Sequence, residues 1–175
     1  IEARVEPERP LTGDAVSILM STGIYDSVAY DFGAGFVRNG THVYGGFGVK
    51  NVVVAATSGD QTTTAELAFP VFGKAALLLE EDTVQHDASW EPLLKAELDA
   101  KGEFDTVKIY EKGRLIYEIP RPDEYVIPVP FTGEREFSAA LYHLGQHVAD
   151  VDPVTIIGLN APPRKPVYEG AQFIQ

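Results

Sequence analysis

Cysteine is absent from the 175 residues. That excludes disulfides, thiolate nucleophiles, zinc fingers and iron–sulfur ligation. It leaves the compartment open, because a chain that buries enough core needs no covalent staples. Basic side chains are scarce: 14 Lys and Arg stand against 26 Asp and Glu, for a net charge of −12 at pH 7. Phosphate backbones are held by clustered Lys and Arg that release counterions, so no nucleic-acid partner is expected. Docking on anionic lipid is disfavoured for the same reason. No run approaches the roughly 18 apolar residues of a membrane span, so no membrane insertion is expected. Apolar residues still make up 45% of the chain and charged ones 23%, which is the composition of a globular protein rather than a disordered one.

Catalytic vocabulary is missing too. There is no G-x-S-x-G nucleophile elbow and no S-x-x-K arrangement in a sensible context. Gly33-Ala34-Gly35 and Gly46-Phe47-Gly48 lack the third glycine of a dinucleotide loop and lead into no helix, so close backbone packing and turns explain them better. His143 and His147 have the i, i+4 spacing of a helical metal pair. Gly145 lies between them in a predicted hairpin, however, and no Glu follows His143, so they read as turn-flanking residues. His42 adjoins a turn and His86 a polar connection, and position alone nominates neither as a base.

What remains is carboxylate. Glu80-Glu81-Asp82, Asp123-Glu124 and Asp150-Val151-Asp152 fall in expected loops. Loop carboxylates suit Ca²⁺, which takes six to eight oxygen ligands in flexible geometry. Asp150 and Asp152 are the candidate calcium ligands, weighed against a solvated acidic surface; no other cofactor is expected. Asn39-Gly40-Thr41 is a glycosylation sequon and makes Asn39 a candidate modification site. No enzyme activity is expected from this inventory, although paired carboxylates in a small β enzyme are the alternative.

The patterning is that of β structure. Turn residues recur every eight to twelve positions among Val, Ile, Tyr and Phe, which suits an all-β sandwich or barrel. No repeat of fixed period is visible, against solenoids and propellers. Asn39-Gly40, flanked by Phe36-Val37-Arg38 and Thr41-His42-Val43-Tyr44, predicts a hairpin with a type I′ turn. Propensity favours helix over 74–82 and over 93–100, but the first is short and sits among strands, and alternation in the segment after the second favours a strand there too. Val107 and Ile109 alternate with Lys108 and Tyr110, the Lys112-Gly113 turn follows, and Leu115, Tyr117 and Ile119 continue the period. Tyr125, Ile127, Val129 and Phe131 then lead to Phe137, Ala139 and Leu141, a last hairpin around Gly145-Gln146, and Val154-Thr155-Ile156-Ile157.

The segments FDTVKIYEKGRLIYEI and YVIPVPFTGEREFSAALYHLGQHVADVDPVTI resemble the immunoglobulin-like β-sandwich modules of extracellular multi-domain proteins. The buried Trp and Cys pair of antibody domains has no counterpart: there is no Cys, and Trp90 stands before the first of these strands. The resemblance implies an antiparallel β-sandwich and, by itself, no activity. The expected fold class is therefore all-β, an immunoglobulin-like sandwich in the C-terminal half with extended terminal arms. The expected organisation is an N-terminal β lobe over 1–86, the immunoglobulin-like sandwich over 87–157 and a Pro-rich arm over 158–175, with the two lobes open to merging into one domain.

The chain opens at Ile1 without an initiator Met, which leads to the expectation of a processed piece or part of a longer, exported protein. Ile1, Ala3 and Val5 alternate before Pro7 and Pro10, and Phe173 and Ile174 offer apolar anchors beyond Pro162, Pro163 and Pro166. These five residues are the candidate assembly contacts through which an arm adds a strand to a second copy. The expected function is a self-assembling, non-enzymatic structural subunit of an extracellular filament, surface layer or virion, with itself as partner. The alternative is an accessory or carbohydrate-binding module of a secreted hydrolase.

Overall fold

The computed structural model describes residues 1–21, 23–86, 93–121, 125–128 and 131–160. Among them it contains fifteen strands and no helix. Residues 74–79 and 93–100 are strands, with 80–82 in the connection that follows, so tertiary pairing overrides their helical propensity.

Seven strands build the first lobe: β1 (Ala3–Glu6), β2 (Ala15–Met20), β3 (Ser27–Asp31), β4 (Phe36–Val37), β5 (Thr41–Val43), β6 (Gly48–Ser58) and β7 (Gln61–Val71). They form a three-stranded sheet, β1-β2-β5, and a four-stranded sheet, β4-β3-β6-β7. Period-two alternation points one side chain in two inward. Val16 and Ile18 of one sheet thus meet Val52, Val54, Phe69 and Val71 of the other, with Tyr44 between them. Burying each large apolar side chain is worth roughly 1.5–3 kcal/mol, enough to hold two small sheets face to face.

Eight strands build the second lobe: β8 (Gly73–Leu79), β9 (Thr83–His86), β10 (Leu93–Ala100), β11 (Thr106–Glu111), β12 (Arg114–Pro120), β13 (Tyr125–Pro128), β14 (Gly133–His143) and β15 (Gln146–Asn160). Their hydrogen bonds run in the order β12-β11-β14-β15-β8-β10-β13, with β9 beside β15. With β9 set aside, β8-β10-β13 repeats β1-β2-β5, and β12-β11-β14-β15 repeats β4-β3-β6-β7. The third, sixth and seventh strands of each lobe share a sheet, with the fourth at its edge. That is the partition of an immunoglobulin-like sandwich. Topologically the chain contains this sandwich twice, not in its C-terminal half alone.

The lobe boundary falls earlier than expected. β8 and β9, inside the predicted N-terminal lobe, pair with β10 and β15. β7 ends at Val71 and β8 starts at Gly73, so Phe72 alone joins the lobes. The predicted arms also change. Ala3–Glu6 pairs antiparallel with Ser17–Met20, and Ala3 and Val5 pack on the first core, so the N-terminal segment is an edge strand of its own sheet. Ser21 donates to the Glu2 carbonyl from both its backbone N–H and its hydroxyl, each at 2.8 Å. At the other end, residues 158–160 complete β15. Phe173 and Ile174 lie outside the described residues.

The predicted Asn39-Gly40 hairpin does not form. β4 pairs with β3 and β5 with β2, so residues 38–40 cross between sheets. Neither Asn39 nor Gly40 has a positive φ. Gly40 instead sits close under a side chain: a Cβ there would stand 2.9 Å from the Tyr30 ring, which would have to shift. The left-handed pairs are Lys112-Gly113 (φ 50° and 77°) and Leu144-Gly145 (φ 50° and 77°), at the β11–β12 and β14–β15 hairpins. A register shift between Ile109 and Tyr110 also breaks the alternation of β12. It turns Ile116 and Ile119 toward the core and leaves Leu115 and Tyr117 exposed.

Candidate functional site

The elbow between the lobes is tightly constrained. Phe72 donates its N–H to the Pro10 carbonyl at 2.9 Å, and its own carbonyl accepts from the Thr12 N–H at 2.7 Å and the Thr12 hydroxyl at 3.1 Å. The joining residue is therefore stitched to the β1–β2 loop rather than free to swivel. On the other side, Phe47, on the turn before β6, enters the second lobe. It is 1% exposed and belongs to the same core as Phe104, Leu141 and Val148. Val49 joins that core as well.

Small residues make room for this insertion. A Cβ on Gly73 would stand 2.5 Å from the Phe47 ring, and one on Gly102 would overlap it. A Cβ on Gly46 would lie 2.8 Å from the Lys101 carbonyl oxygen. Gly48, at φ +125°, backs onto Glu103. Main-chain bonds close the joint: the Phe47 N–H donates to the Lys101 carbonyl at 3.2 Å, and the Glu103 N–H donates to the Phe47 carbonyl at 2.9 Å. Lys50 Nζ meets Glu103 Oε2 at 3.0 Å.

His143 completes the seam. Its Nδ1 accepts the Val49 N–H at 3.0 Å across the lobes, which requires that nitrogen to be unprotonated. Next to it, Asp105 accepts from the Leu144 N–H at 2.6 Å and from the Thr106 hydroxyl at 2.8 Å. The Leu144 N–H, then the Thr106 hydroxyl, hold the Asp105 carboxyl below its ordinary range. The same bond steadies Leu144 in the left-handed conformation that a non-glycine residue resists.

Inside the first lobe, Phe32, His42, Tyr44 and Phe69 form a continuous ring row, with centroids 4.9, 4.7 and 6.1 Å apart in turn. The Tyr44 hydroxyl is buried without a hydrogen-bond partner among the described residues. Burial pushes its pKa up to about 12.

The sequence-derived candidates scatter around this joint. His143 and His147 do not converge on one site: His143 serves the elbow, whereas His147 Nε2 lies 2.9 Å from Asp150 Oδ1. Asp150 and Asp152 are exposed on β15, and the described residues hold no group of three or more His, Asp or Glu that could take a metal. They are not gathered into an oxygen cage of the kind calcium needs. Asn39 is exposed, its side-chain oxygen accepting the Thr41 N–H at 3.2 Å. Asp31 caps the Gly33 and Gly35 N–H groups at 2.8 and 2.9 Å, so that glycine pair is a turn. His86 lies in β9, and Ile1 lies beside an open groove on the first lobe. Phe47 and Phe72, which carry the elbow, stand out in sequence only through the glycines at 46, 48 and 73.

No family model and no curated protein matches the sequence. Solved structures do. The four N-terminal Ig domains of Dscam1 isoform 4.44 match 92% of this chain and 47% of theirs, at 8% identity and a TM-score of 0.51. The chain thus spans about half the length of that four-domain segment. The fibronectin(III)-like modules of Clostridium thermocellum CbhA match 91% of this chain and 95% of theirs, at 14% identity and a TM-score of 0.37. Titin A168169 matches 92% and 97%, at 10% identity and a TM-score of 0.41. At these identities the likeness is one of fold. The chain is an antiparallel β-sandwich protein of immunoglobulin-like architecture.

Proposed function

We propose that the chain is a non-catalytic accessory module of a larger secreted protein, holding its neighbours at a fixed elbow. The observation that carries this reading is Phe47: a first-lobe side chain that completes the second lobe's core. Flexible linkers between sandwiches leave each core self-sufficient, and relative motion is then the default. Here a one-residue joint, a buried aromatic plug and four tightly backed glycines oppose that motion. The strand order places the first strand, β1, and the last, β15, in different lobes, the arrangement of a spacer.

Assembly through strand addition is the second reading, favoured by one observation. β7, eleven residues long, has no partner on its outer edge among the described residues. Small-angle scattering over a concentration series separates the two. The accessory reading expects one monomeric particle of constant radius. Growth of the radius with concentration would favour the assembling subunit, and a broad distribution of lobe separations would overturn the fixed elbow.

A further inference from the structure

The elbow leaves an open groove of about 380 Å³ on one side, lined from both lobes by Arg9, Leu11, Thr12, Phe72, Lys74 and His147, with Asp150 at its edge. This is a local exception in a chain of net charge −12. Arg9 lies over the Phe72 ring, 4.4 Å from its centroid, and His147 packs against the same ring at 6.0 Å. The one carboxylate present is engaged, with Asp150 Oδ1 at 2.9 Å from His147 Nε2. Neither Arg9 nor Lys74 has an ion-pair partner among the described residues. Lys74 is cross-strand neighbour to Asp150 in register, yet the pair does not close to a salt bridge.

We propose that this groove binds a carboxylate-bearing saccharide, a uronic acid unit, with Arg9 and Lys74 receiving the carboxylate. The inference deepens the accessory-module reading and rests on it, since the groove's two walls belong to different lobes. Guanidinium and ammonium groups left without internal carboxylates are the side chains that pair with an external one through charge-assisted hydrogen bonds. The volume suits a small ligand of one or two rings. Exposed Leu11 offers an apolar surface beside the cations, which suits the mixed faces of a sugar better than those of a bare inorganic anion. The surrounding negative charge disfavours long polyanions, so a short acidic saccharide is the expected occupant.

The test is a titration of the ¹⁵N-labelled chain with digalacturonic acid and, separately, with the neutral disaccharide cellobiose. Saturable amide shifts confined to residues 9–12, 72–74 and 147–150 are expected with the acidic sugar alone. In the Arg9→Gln/Lys74→Gln variant, whose changes are both at exposed positions, the affinity should fall by at least about tenfold. No localised shift, an equal response to cellobiose, or unchanged affinity in the double variant would each overturn the proposal. Relaxation rates from the same sample report on the elbow separately. Independent tumbling of the lobes would break the accessory-module reading, whereas a fixed elbow without shifts would break only the saccharide site.

Discussion

The two lobes reach one topology by different closures. In the first, two separate sheets are joined by side chains and by one parallel backbone bridge, Leu11 to Phe72, just past the end of β7. The outer edge of β7 itself is bare among the described residues. In the second, the first three residues of β8 run parallel to β15 before the strand pairs with β10, and β9 runs parallel to the far end of β15. Backbone ladders therefore link the two faces of the second sandwich over several residues, whereas a single bridge at Phe72 links those of the first. The cores differ as well. The first lobe's core is drawn from its own strands, whereas the second includes Phe47 and Val49. The comparison teaches that the stability of the second lobe depends on the first through a few side chains, and that dependence can be broken.

The largest break is Phe47→Ala. Removing a fully buried phenyl ring should cost about 3–5 kcal/mol. Because the cavity opens in the second lobe's core, calorimetry should show one unfolding transition splitting into two, with the second lobe melting first. Gly102→Ala comes next. Its methyl overlaps the Phe47 ring and should cost about 1–3 kcal/mol by overpacking, read as a lower denaturation midpoint.

Tyr44→Phe acts on the first lobe alone and in the opposite direction. Deleting a buried hydroxyl that has no partner should stabilise by up to about 1 kcal/mol. It should also change the alkaline limb. Tyr44 stays neutral in the folded state up to about 12, while the unfolded phenol ionises from its ordinary 10. Its contribution is thus complete below pH 10 and is lost as pH rises through 12. Chemical denaturation across pH 9–12 should show a shallower decline in the variant.

The smallest effect belongs to Asp105→Asn. The folded carboxyl titrates below its ordinary value of 3.8, so its contribution is present above that pH and fades as the solution is acidified through the lowered pKa. The variant should be slightly less stable than the parent at neutral pH and equal to it in strong acid. Thermal melts at the two pH values check this.

Much of the architecture was legible because alternation is a local signal. Val107 and Ile109, and Phe137 and Leu141, are buried as their spacing predicts. The segment 93–100 and most of 74–82, to Leu79, are strands, as the strands around them suggest against their propensity. What failed was long-range pairing. Asn39-Gly40 has the composition of a tight hairpin, but the adjacent strands are claimed by different sheets, and no local feature reports that choice. Alternation of Ile1, Ala3 and Val5 reveals a strand but not its partner, so an edge strand and a free arm look alike. The Leu115–Ile119 parity failed for a related reason, since the bulge that shifts it is a property of pairing. The elbow was half legible. Glycines at 46 and 48 suggest close backbone packing, but nothing local says that Phe47 crosses into another core.

The central claim is that Phe47 and its glycine socket lock two like sandwiches into one body. Residual dipolar couplings in a dilute aligning medium test it most directly. The account predicts that amides of both lobes fit a single alignment tensor, and that Phe47→Ala splits it into two. Two different tensors in the unaltered chain would contradict it.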